Sequence, residues 1–270
     1  MNDSIREFIQ AQTLTLPTVV RALRHLTSEL QAEQLPQGAL EEMHAFYDRM
    51  LTHERYFLHH FAPYLCEVDH WFKVKVAQPS LLDLGCGVGT QAALLAARGA
   101  RVVGIDNKPE RVAAANAMRP WYESEVESDV DVQIHYADAF KFLADLPMDS
   151  LDGVFTQFAL AYMEPHEEML RLIARVVRPG GRVLFREFNA GSIYNKIGST
   201  VEWLDAKRYE TICSSLGWRL IERKFYWLFP KPIINSAMLG PAAITIENSL
   251  ANLPIFRMFS GSMTLVFERI

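Results

Sequence analysis

One segment of the sequence reads Leu81-Leu82-Asp83-Leu84-Gly85-Cys86-Gly87-Val88-Gly89-Thr90. Here an apolar run, typical of a buried strand, meets three alternate glycines and is followed by a helical pattern. Glycine has no Cβ, so the backbone can turn tightly and a ligand can lie against it. The start of the following helix offers unpaired N–H groups to a polar ligand. A plain strand-to-helix turn needs one glycine, so three indicate a ligand-binding loop.

The position of Asp83 adds to this interpretation. It lies two residues before the first glycine, at the end of the predicted strand. A carboxylate at that place favours a ligand with a positively charged group. The dinucleotide fingerprint G-x-G-x-x-G would need a glycine where this chain has Thr90. An NAD-dependent oxidoreductase is therefore the less favoured alternative.

Downstream of this segment, short apolar runs alternate with helical patterns. Strands are predicted at 80–84, 102–106, 132–136, 151–156 and 182–187. Such alternation is typical of a parallel sheet covered by helices on both faces. Two more strand candidates, at 218–228 and 262–269, are predicted to pair antiparallel. The expected fold class is α/β, a Rossmann-like, doubly wound, seven-stranded and mostly parallel sheet with an antiparallel terminal strand and a helical N-terminal extension.

The chain before the first strand is predicted to be helical. Val19, Leu23, Leu26 and Leu30 recur at helical spacing, and further helical patterns follow. We expect residues 1–70 to form a helical extension that acts as a lid, and residues 71–270 to form the main domain.

An apolar insertion separates the last two strand candidates, at about residues 229–261, where a short hairpin would have been enough. No helical pattern is equally clear in it. We expect it, with Trp227 and Phe256, to wall a pocket for an apolar acceptor. The alternatives are a cover for a sheet edge or the interface of a homodimer.

Composition excludes several classes of function. The chain has 270 residues and a net charge of −5, which leaves no overall positive field for a nucleic acid. Its three scattered cysteines predict neither a disulfide framework nor a zinc site, and we expect no metal. The longest uncharged apolar-rich run, 232–246, is shorter than the roughly 20 residues of a membrane-spanning helix. The N-terminal residues have no leader pattern, so a cytoplasmic protein is expected.

Four motifs occur in the order typical of one family. Asp83 and the three glycines match the pattern D/E-x-G-x-G-x-G at every defined position, and Asp106 ends the second predicted strand. Asp138 follows the third strand, and Arg178-Pro179-Gly180-Gly181 leads into the fifth. On these residues the chain resembles the class I S-adenosylmethionine-dependent methyltransferases of the small-molecule type, over about residues 44–190.

The resemblance implies S-adenosylmethionine as the cofactor. It places the glycine loop against the methionine part, Asp83 at the amino group, Asp106 at the ribose hydroxyls and Asp138 at the adenine amine. The cofactor-binding residues implied in this way are Asp83, Gly85, Cys86, Gly87, Gly89, Asp106, Asn107, Asp138, Ala139, Phe140, Gln157 and Tyr47.

The expected activity is methyl transfer to a small acceptor of apolar or lipid-like character. Positioning alone can lower the barrier of such a displacement by roughly 7–11 kcal/mol, so a dedicated base is optional. Candidates for a base are Glu187, His166 and Tyr162. The alternative from another class is a protein that binds S-adenosylmethionine without transferring a methyl group.

Overall fold

The computed structural model describes residues 2–193, 195 and 203–270 and contains one seven-stranded sheet in the order β3-β2-β1-β4-β5-β7-β6. All neighbours are parallel except β7, which is antiparallel to β5 and β6. The predicted fold class is therefore confirmed. The strands are β1 Ser80–Leu84, β2 Arg101–Asp106, β3 Val132–Tyr136, β4 Leu151–Gln157, β5 Val177–Phe188, β6 Trp218–Tyr226 and β7 Ser262–Arg269.

Helices cover both faces of the sheet because successive strand residues point to opposite sides. Leu81 belongs to the core on one face, with residues of α1–α7, while Leu82 belongs to the core on the other, with residues of α8–α10. The helices are α1 Asp3–Gln10, α2 Leu16–Gln31, α3 Gln37–Thr52, α4 Glu54–Phe72, α5 Val74–Ala77, α6 Thr90–Ala97, α7 Pro109–Val126, α8 Ala139–Asp145, α9 His166–Val176, α10 Ala206–Ser215, α11 Lys231–Asn235, α12 Gly240–Leu250 and α13 Pro254–Arg257.

A buried ion pair fastens the N-terminal helices to the sheet. Arg98, which follows α6, donates from Nε to Asp69 Oδ1 of α4 at 2.9 Å. The other oxygen of Asp69 accepts the backbone N–H of Leu14 at 3.1 Å, and Arg98 Nη1 reaches the carbonyl of Phe8. The helices of residues 1–70 thus share one core with the sheet.

The insertion between β6 and β7 contains α11, α12 and α13, although the sequence shows no clear helical pattern there. The buried face of α12 consists of Gly240, Ala243 and Glu247, so a carboxylate stands where a core helix usually has an apolar residue. Ile246 points outwards and is 42% exposed. Because a charged residue is buried and a large apolar residue is exposed, the hydrophobic pattern fails to indicate this helix. Within the described residues, no helix has the length and apolar character needed to cross a membrane.

Candidate active site

The glycine loop lies at the carboxyl edge of the sheet, between the ends of β1 and β4. The order of strands reverses there, and open α/β sheets bind ligands at such a point. Gly85 and Gly87 have φ of 78° and 57°, in the left-handed region. A Cβ on Gly85 would lie 2.3 Å from Ala159 Cβ, and one on Gly87 would lie 2.7 Å from the Phe46 ring. Glycine is therefore required for both the backbone conformation and the close packing.

Strand β2 holds this loop in place. The N–H groups of Gly85 and Cys86 both donate to the carbonyl of Ile105 at 2.9 Å. Gly87 N donates to Asp106 Oδ2, and Lys108 N to Asp106 Oδ1, each at 2.9 Å. The buried carboxylate of Asp106 thus orients the loop. Its contact with the ribose hydroxyls stays a prediction. Each carboxylate oxygen retains a second lone pair that could accept a hydrogen bond from a hydroxyl group.

Asp83 lines a cavity of about 40 Å³ beside the loop. The residue is 2% exposed, and its Oδ2 atom has no hydrogen-bond partner among the described residues. Burial, and then the neighbouring Asp106, raise the pKa of this carboxyl well above its ordinary value. A buried carboxylate of this kind is stabilised by a cationic partner. The cavity is lined by Phe46, Tyr47, Phe61, Asp83, Gly85, Cys86, Thr90, Gln91 and Gln157.

Two more predicted residues reach the same cavity from different elements. Tyr47 comes from α3, is fully buried and has a pKa raised by burial. Gln157 ends β4 and accepts a hydrogen bond from Gln91 Nε2 at 2.7 Å. The structure therefore brings together the predicted residues of three distant segments, and their contact with the cofactor stays a prediction.

The residues expected at the adenine lie along the neighbouring strand ends. Asp106 is paired with Tyr136 of β3, and the N–H of Ala137 donates to its carbonyl at 3.1 Å. Asp138 is exposed and caps α8 by accepting the N–H of Lys141 at 3.0 Å. The remaining predicted residues, Asn107, Ala139 and Phe140, are exposed or half-buried beside them.

The unpaired carboxylate and the glycine loop fit the aminoacyl and sulfonium part of S-adenosylmethionine. A pocket for a ligand of that size usually measures about 300–1,000 Å³. The present cavity is much smaller, at about 40 Å³, because the ring of Phe46 lies directly against Gly87. The residues therefore suit the cofactor, provided that Phe46 moves away from the loop.

The three candidate bases lie elsewhere. Glu187, at the end of β5, is buried and accepts the N–H groups of Leu160 at 3.0 Å and Ala161 at 3.4 Å. Burial, opposed by these bonds, raises its pKa to about 8. His166 begins α9 and is buried, whereas Tyr162 is 65% exposed. None of the three lines the cavity beside Asp83. In the structure, Glu187 instead holds the segment that follows β4 through these hydrogen bonds.

The sequence placed Trp227 at a pocket but did not predict the cluster of aromatic rings that it forms at the same edge of the sheet. Phe158 follows β4, Phe188 ends β5 and Trp227 follows β6. Their ring centroids are 4.8 Å apart for Phe158–Phe188, 4.9 Å for Phe158–Trp227 and 5.8 Å for Phe188–Trp227. We call these three residues the aromatic wall. The signal for this cluster in the sequence was that all three residues lie at the ends of strands, because the carboxyl ends of parallel strands meet at one edge of a sheet.

A cluster of polar groups lies behind this wall. His60 of α4 packs edge-on against Trp227, with ring centroids 5.7 Å apart. Burial, then the neighbouring His59 and Arg186, lower its pKa well below the ordinary value. Glu247 of α12 accepts the N–H groups of Trp227 at 3.2 Å and of Leu228 at 2.9 Å. The insertion thus supports the aromatic wall from outside the sheet.

Comparison with known proteins agrees with this geometry. Residues 82–185 match the family model described as a methyltransferase domain. The match confirms the resemblance to S-adenosylmethionine-dependent methyltransferases that the sequence motifs indicated.

Curated relatives match the domain over part of their length. A ubiquinone biosynthesis O-methyltransferase of Pseudomonas entomophila is 32% identical over 117 residues, 43% of this chain and 47% of that protein. A demethylmenaquinone methyltransferase of Clavibacter sepedonicus is 35% identical over 116 residues, 42% of this chain and 43% of that protein. The chain thus spans about half the length of the relatives it matches.

Solved structures share the fold over most of the chain. A SAM-dependent methyltransferase from Archaeoglobus fulgidus aligns with a TM-score of 0.58 and 18% identity, covering 83% of this chain and 99% of that one. The [4+2]-cyclase SpnF aligns with a TM-score of 0.52 and 19% identity, covering 74% of this chain and 81% of that one. Because a cyclase shares the fold, the fold alone does not assign the reaction.

Proposed function

We propose that the protein transfers the methyl group of S-adenosylmethionine to a hydroxyl group on an apolar, ring-containing acceptor of the lipid-linked quinol type. The observation that carries this proposal is the aromatic wall at the carboxyl edge of the sheet, next to Gln157. Phe158 is the residue after Gln157, so the wall adjoins the cavity that contains Asp83.

The chemistry of the wall suits a planar acceptor. Aromatic rings prefer offset-stacked or edge-to-face contacts with centroids about 4.5–7 Å apart, which are worth about 0.5–1.5 kcal/mol beyond burial. Phe158 and Trp227 already adopt a stacked contact at 4.9 Å. A planar ring of the acceptor can continue this stack, whereas a sugar or a free amino acid gains little from it.

The insertion supports a lipid-like acceptor. Met238 is 83% exposed and Ile255 is 69% exposed, and Leu239, Leu253 and Met258 are also exposed. Apolar surfaces of this kind mark sites where apolar partners bind. The names of the relatives point the same way, since one acts in ubiquinone biosynthesis and another is a demethylmenaquinone methyltransferase.

In this proposal the protein contributes positioning rather than a dedicated base. S-adenosylmethionine would supply an activated methyl group on its sulfonium and leave as S-adenosylhomocysteine, and the hydroxyl proton of the acceptor would pass to solvent. Asp83 binds the cationic end, the glycine loop fixes the ligand backbone, and the aromatic wall places the acceptor ring. Holding both reactants in line can lower the barrier by roughly 7–11 kcal/mol.

The test is a panel of acceptors incubated with the protein and S-adenosylmethionine, with S-adenosylhomocysteine measured by mass spectrometry. Prenylated quinols and catechols should be methylated faster than sugars, amino acids or unprenylated phenols. Trp227→Leu should reduce turnover of the apolar acceptors at least tenfold, while Trp121→Leu, on α7 where Trp121 stacks against His25, should not. Preferred methylation of a hydrophilic acceptor would contradict the proposal. Tight binding of S-adenosylhomocysteine with no turnover on any acceptor would favour the alternative of a binding protein.

We also propose that α3 is the lid expected from the sequence. The ring of Phe46 covers Gly87, and Arg111 of α7 contacts both Phe46, at 5.6 Å from the ring centroid, and Glu42, at 3.5 Å. These contacts hold α3 against the glycine loop, so binding of the cofactor requires α3 to shift. Phe46→Ala should therefore speed association of S-adenosylhomocysteine in stopped-flow fluorescence. An association rate equal to that of the unaltered protein would contradict the role of α3.

A further inference from the structure

Two histidines and one glutamate meet where the insertion packs on the N-terminal helices. His59 and His60 lie on α4 and Glu247 lies on α12, 188 residues from His59. Their side chains are 8%, 7% and 2% exposed. One donor atom of each lies within 4.8 Å of the other two. Only the fold brings these residues together, which is why the sequence predicted no metal.

The distances match the edges of a metal coordination sphere. Glu247 Oε1 lies 3.1 Å from His59 Nε2 and 3.7 Å from His60 Nδ1. In a tetrahedral zinc site with bonds of about 2.0–2.1 Å, two ligand atoms are separated by about 3.3–3.4 Å. The two separations from Glu247 thus differ from this value by a few tenths of an ångström, and the donor atoms of all three residues lie within 4.8 Å of one another.

Hydrogen bonding within the cluster does not explain why the polar ring of His60 is buried. Both of its ring nitrogens are buried and have no hydrogen-bond partner in the part of the chain that the structure describes. An unsatisfied buried polar group costs about 1–3 kcal/mol. Since Nδ1 points towards Glu247, coordination of an ion would satisfy the nitrogen that is nearest to the carboxylate.

Backbone hydrogen bonds fix the carboxylate of Glu247 in a position to bind an ion. Glu247 Oε1 accepts the N–H of Trp227 at 3.2 Å, and Oε2 accepts those of Leu228 at 2.9 Å and Phe229 at 3.4 Å. Metal-binding carboxylates are usually fixed by hydrogen bonds of this kind from the surrounding residues. These bonds leave a lone pair of Oε1 facing the two histidines.

We propose that His59, His60 and Glu247 bind a divalent transition-metal ion, for which Zn²⁺ is the best match. Two imidazoles and one carboxylate suit Zn²⁺, whereas Mg²⁺ and Ca²⁺ prefer oxygen ligands throughout. The ion links α4 to α12. Because Glu247 also accepts the backbone N–H of Trp227, the ion helps to fix one residue of the aromatic wall.

The experiment uses the full chain, freed of metal with a chelator and then titrated with Zn²⁺ in a calorimeter and in thermal unfolding. We expect one equivalent to bind and to raise the unfolding temperature, while Mg²⁺ has no effect. His60→Phe keeps the ring volume without a ligand atom, and His59→Gln keeps a hydrogen-bond donor for Glu247. Because even loss of a residue that supports a ligand costs about 10–100-fold in affinity, each variant should bind Zn²⁺ at least tenfold more weakly.

The matched control is His53→Gln, since His53 is exposed at the start of α4 and makes no capping hydrogen bond. Equal loss of Zn²⁺ binding in this control and in His60→Phe would overturn the proposal, as would unchanged binding in His60→Phe or His59→Gln. The absorption of the Co²⁺ form gives a second measurement. A sulfur charge-transfer band would place the ion at a cysteine and overturn the proposal. These readouts measure metal binding, so their failure is distinct from a failure of the proposed methyl transfer.

Discussion

Asp83→Asn is expected to weaken cofactor binding while it stabilises the ligand-free protein. The carboxylate is 2% exposed and its Oδ2 is unpaired among the described residues. The bond that we propose between Asp83 and the cationic end of the cofactor would therefore form away from water. A hydrogen bond to a charged group contributes about 1.5–3 kcal/mol, so its loss corresponds to roughly 10- to 150-fold weaker binding.

The effect on stability has the opposite sign. The pKa of Asp83 is raised from 3.8 in the folded protein, mainly by burial. The stability that this group contributes is fully present below its pKa in the unfolded chain and is lost as the pH rises through its pKa in the folded protein. Above the pKa of the unfolded chain this group therefore lowers the stability of the ligand-free protein, and asparagine removes this penalty. The variant should melt at a higher temperature near pH 7.5, with a smaller gain near pH 4.

Titration calorimetry with S-adenosylhomocysteine and thermal unfolding at the two pH values measure both effects. Asp152→Asn is the control, because Asp152 lies at the opposite end of the sheet, where it accepts the N–H of Ser80 at 2.6 Å. Its affinity for S-adenosylhomocysteine should equal that of the unaltered protein. If Asp83→Asn bound as tightly as the control, or lowered the melting temperature at pH 7.5, the reasoning on the unpaired carboxylate would be refuted.

Three other substitutions test the neighbouring interactions. Asp106→Ala should weaken binding of S-adenosylhomocysteine by about 2 kcal/mol, roughly thirtyfold, and unchanged affinity in calorimetry would remove Asp106 from the site. The pKa of Glu187 is raised from 4.5 to about 8, so stability associated with it is complete below pH 4.5 and is lost as the pH rises to about 8. Glu187→Gln should abolish this loss of stability, which amounts to at most about 1.4 kcal/mol per pH unit. A variant whose stability in urea unfolding changed with pH in the same way as that of the unaltered protein would contradict this. Asp69→Ala leaves the guanidinium of Arg98 buried without its partner and should cost about 3–5 kcal/mol in urea unfolding, whereas a cost below about 1 kcal/mol would show the pair to be unimportant.

Local patterns predicted the framework of the sheet. The strands 80–84, 132–136 and 262–269 have the predicted bounds, because each is a short apolar or alternating run between residues that interrupt it. The glycine loop was predictable for a similar reason, since its requirement for glycine is a property of the local backbone. Its contacts with Ala159 and Phe46 were not, because they join segments far apart in the chain.

Two features show why the rest could not be predicted. Helix α12 buries Glu247 and exposes Ile246, so at these two positions its pattern departs from that of an ordinary amphipathic helix. Glu187 has the residue type and strand-end position of a catalytic base, yet its oxygens accept the N–H groups of Leu160 and Ala161. In both cases the role of a carboxylate depends on backbone N–H groups that only the tertiary structure supplies.

The aromatic wall is held in a conformation that costs free energy. Phe158 and Trp227 have φ of 58° and 65°, in the left-handed region that bulky residues rarely adopt, at a cost on the order of 1–3 kcal/mol each. Such residues persist only where neighbouring contacts fix them. Phe158 N donates to the carbonyl of Arg186 at 2.8 Å, and Trp227 N donates to Glu247. Because two strained residues from distant segments are fixed so that their rings stack at one edge of the sheet, we infer that the acceptor binds at this edge.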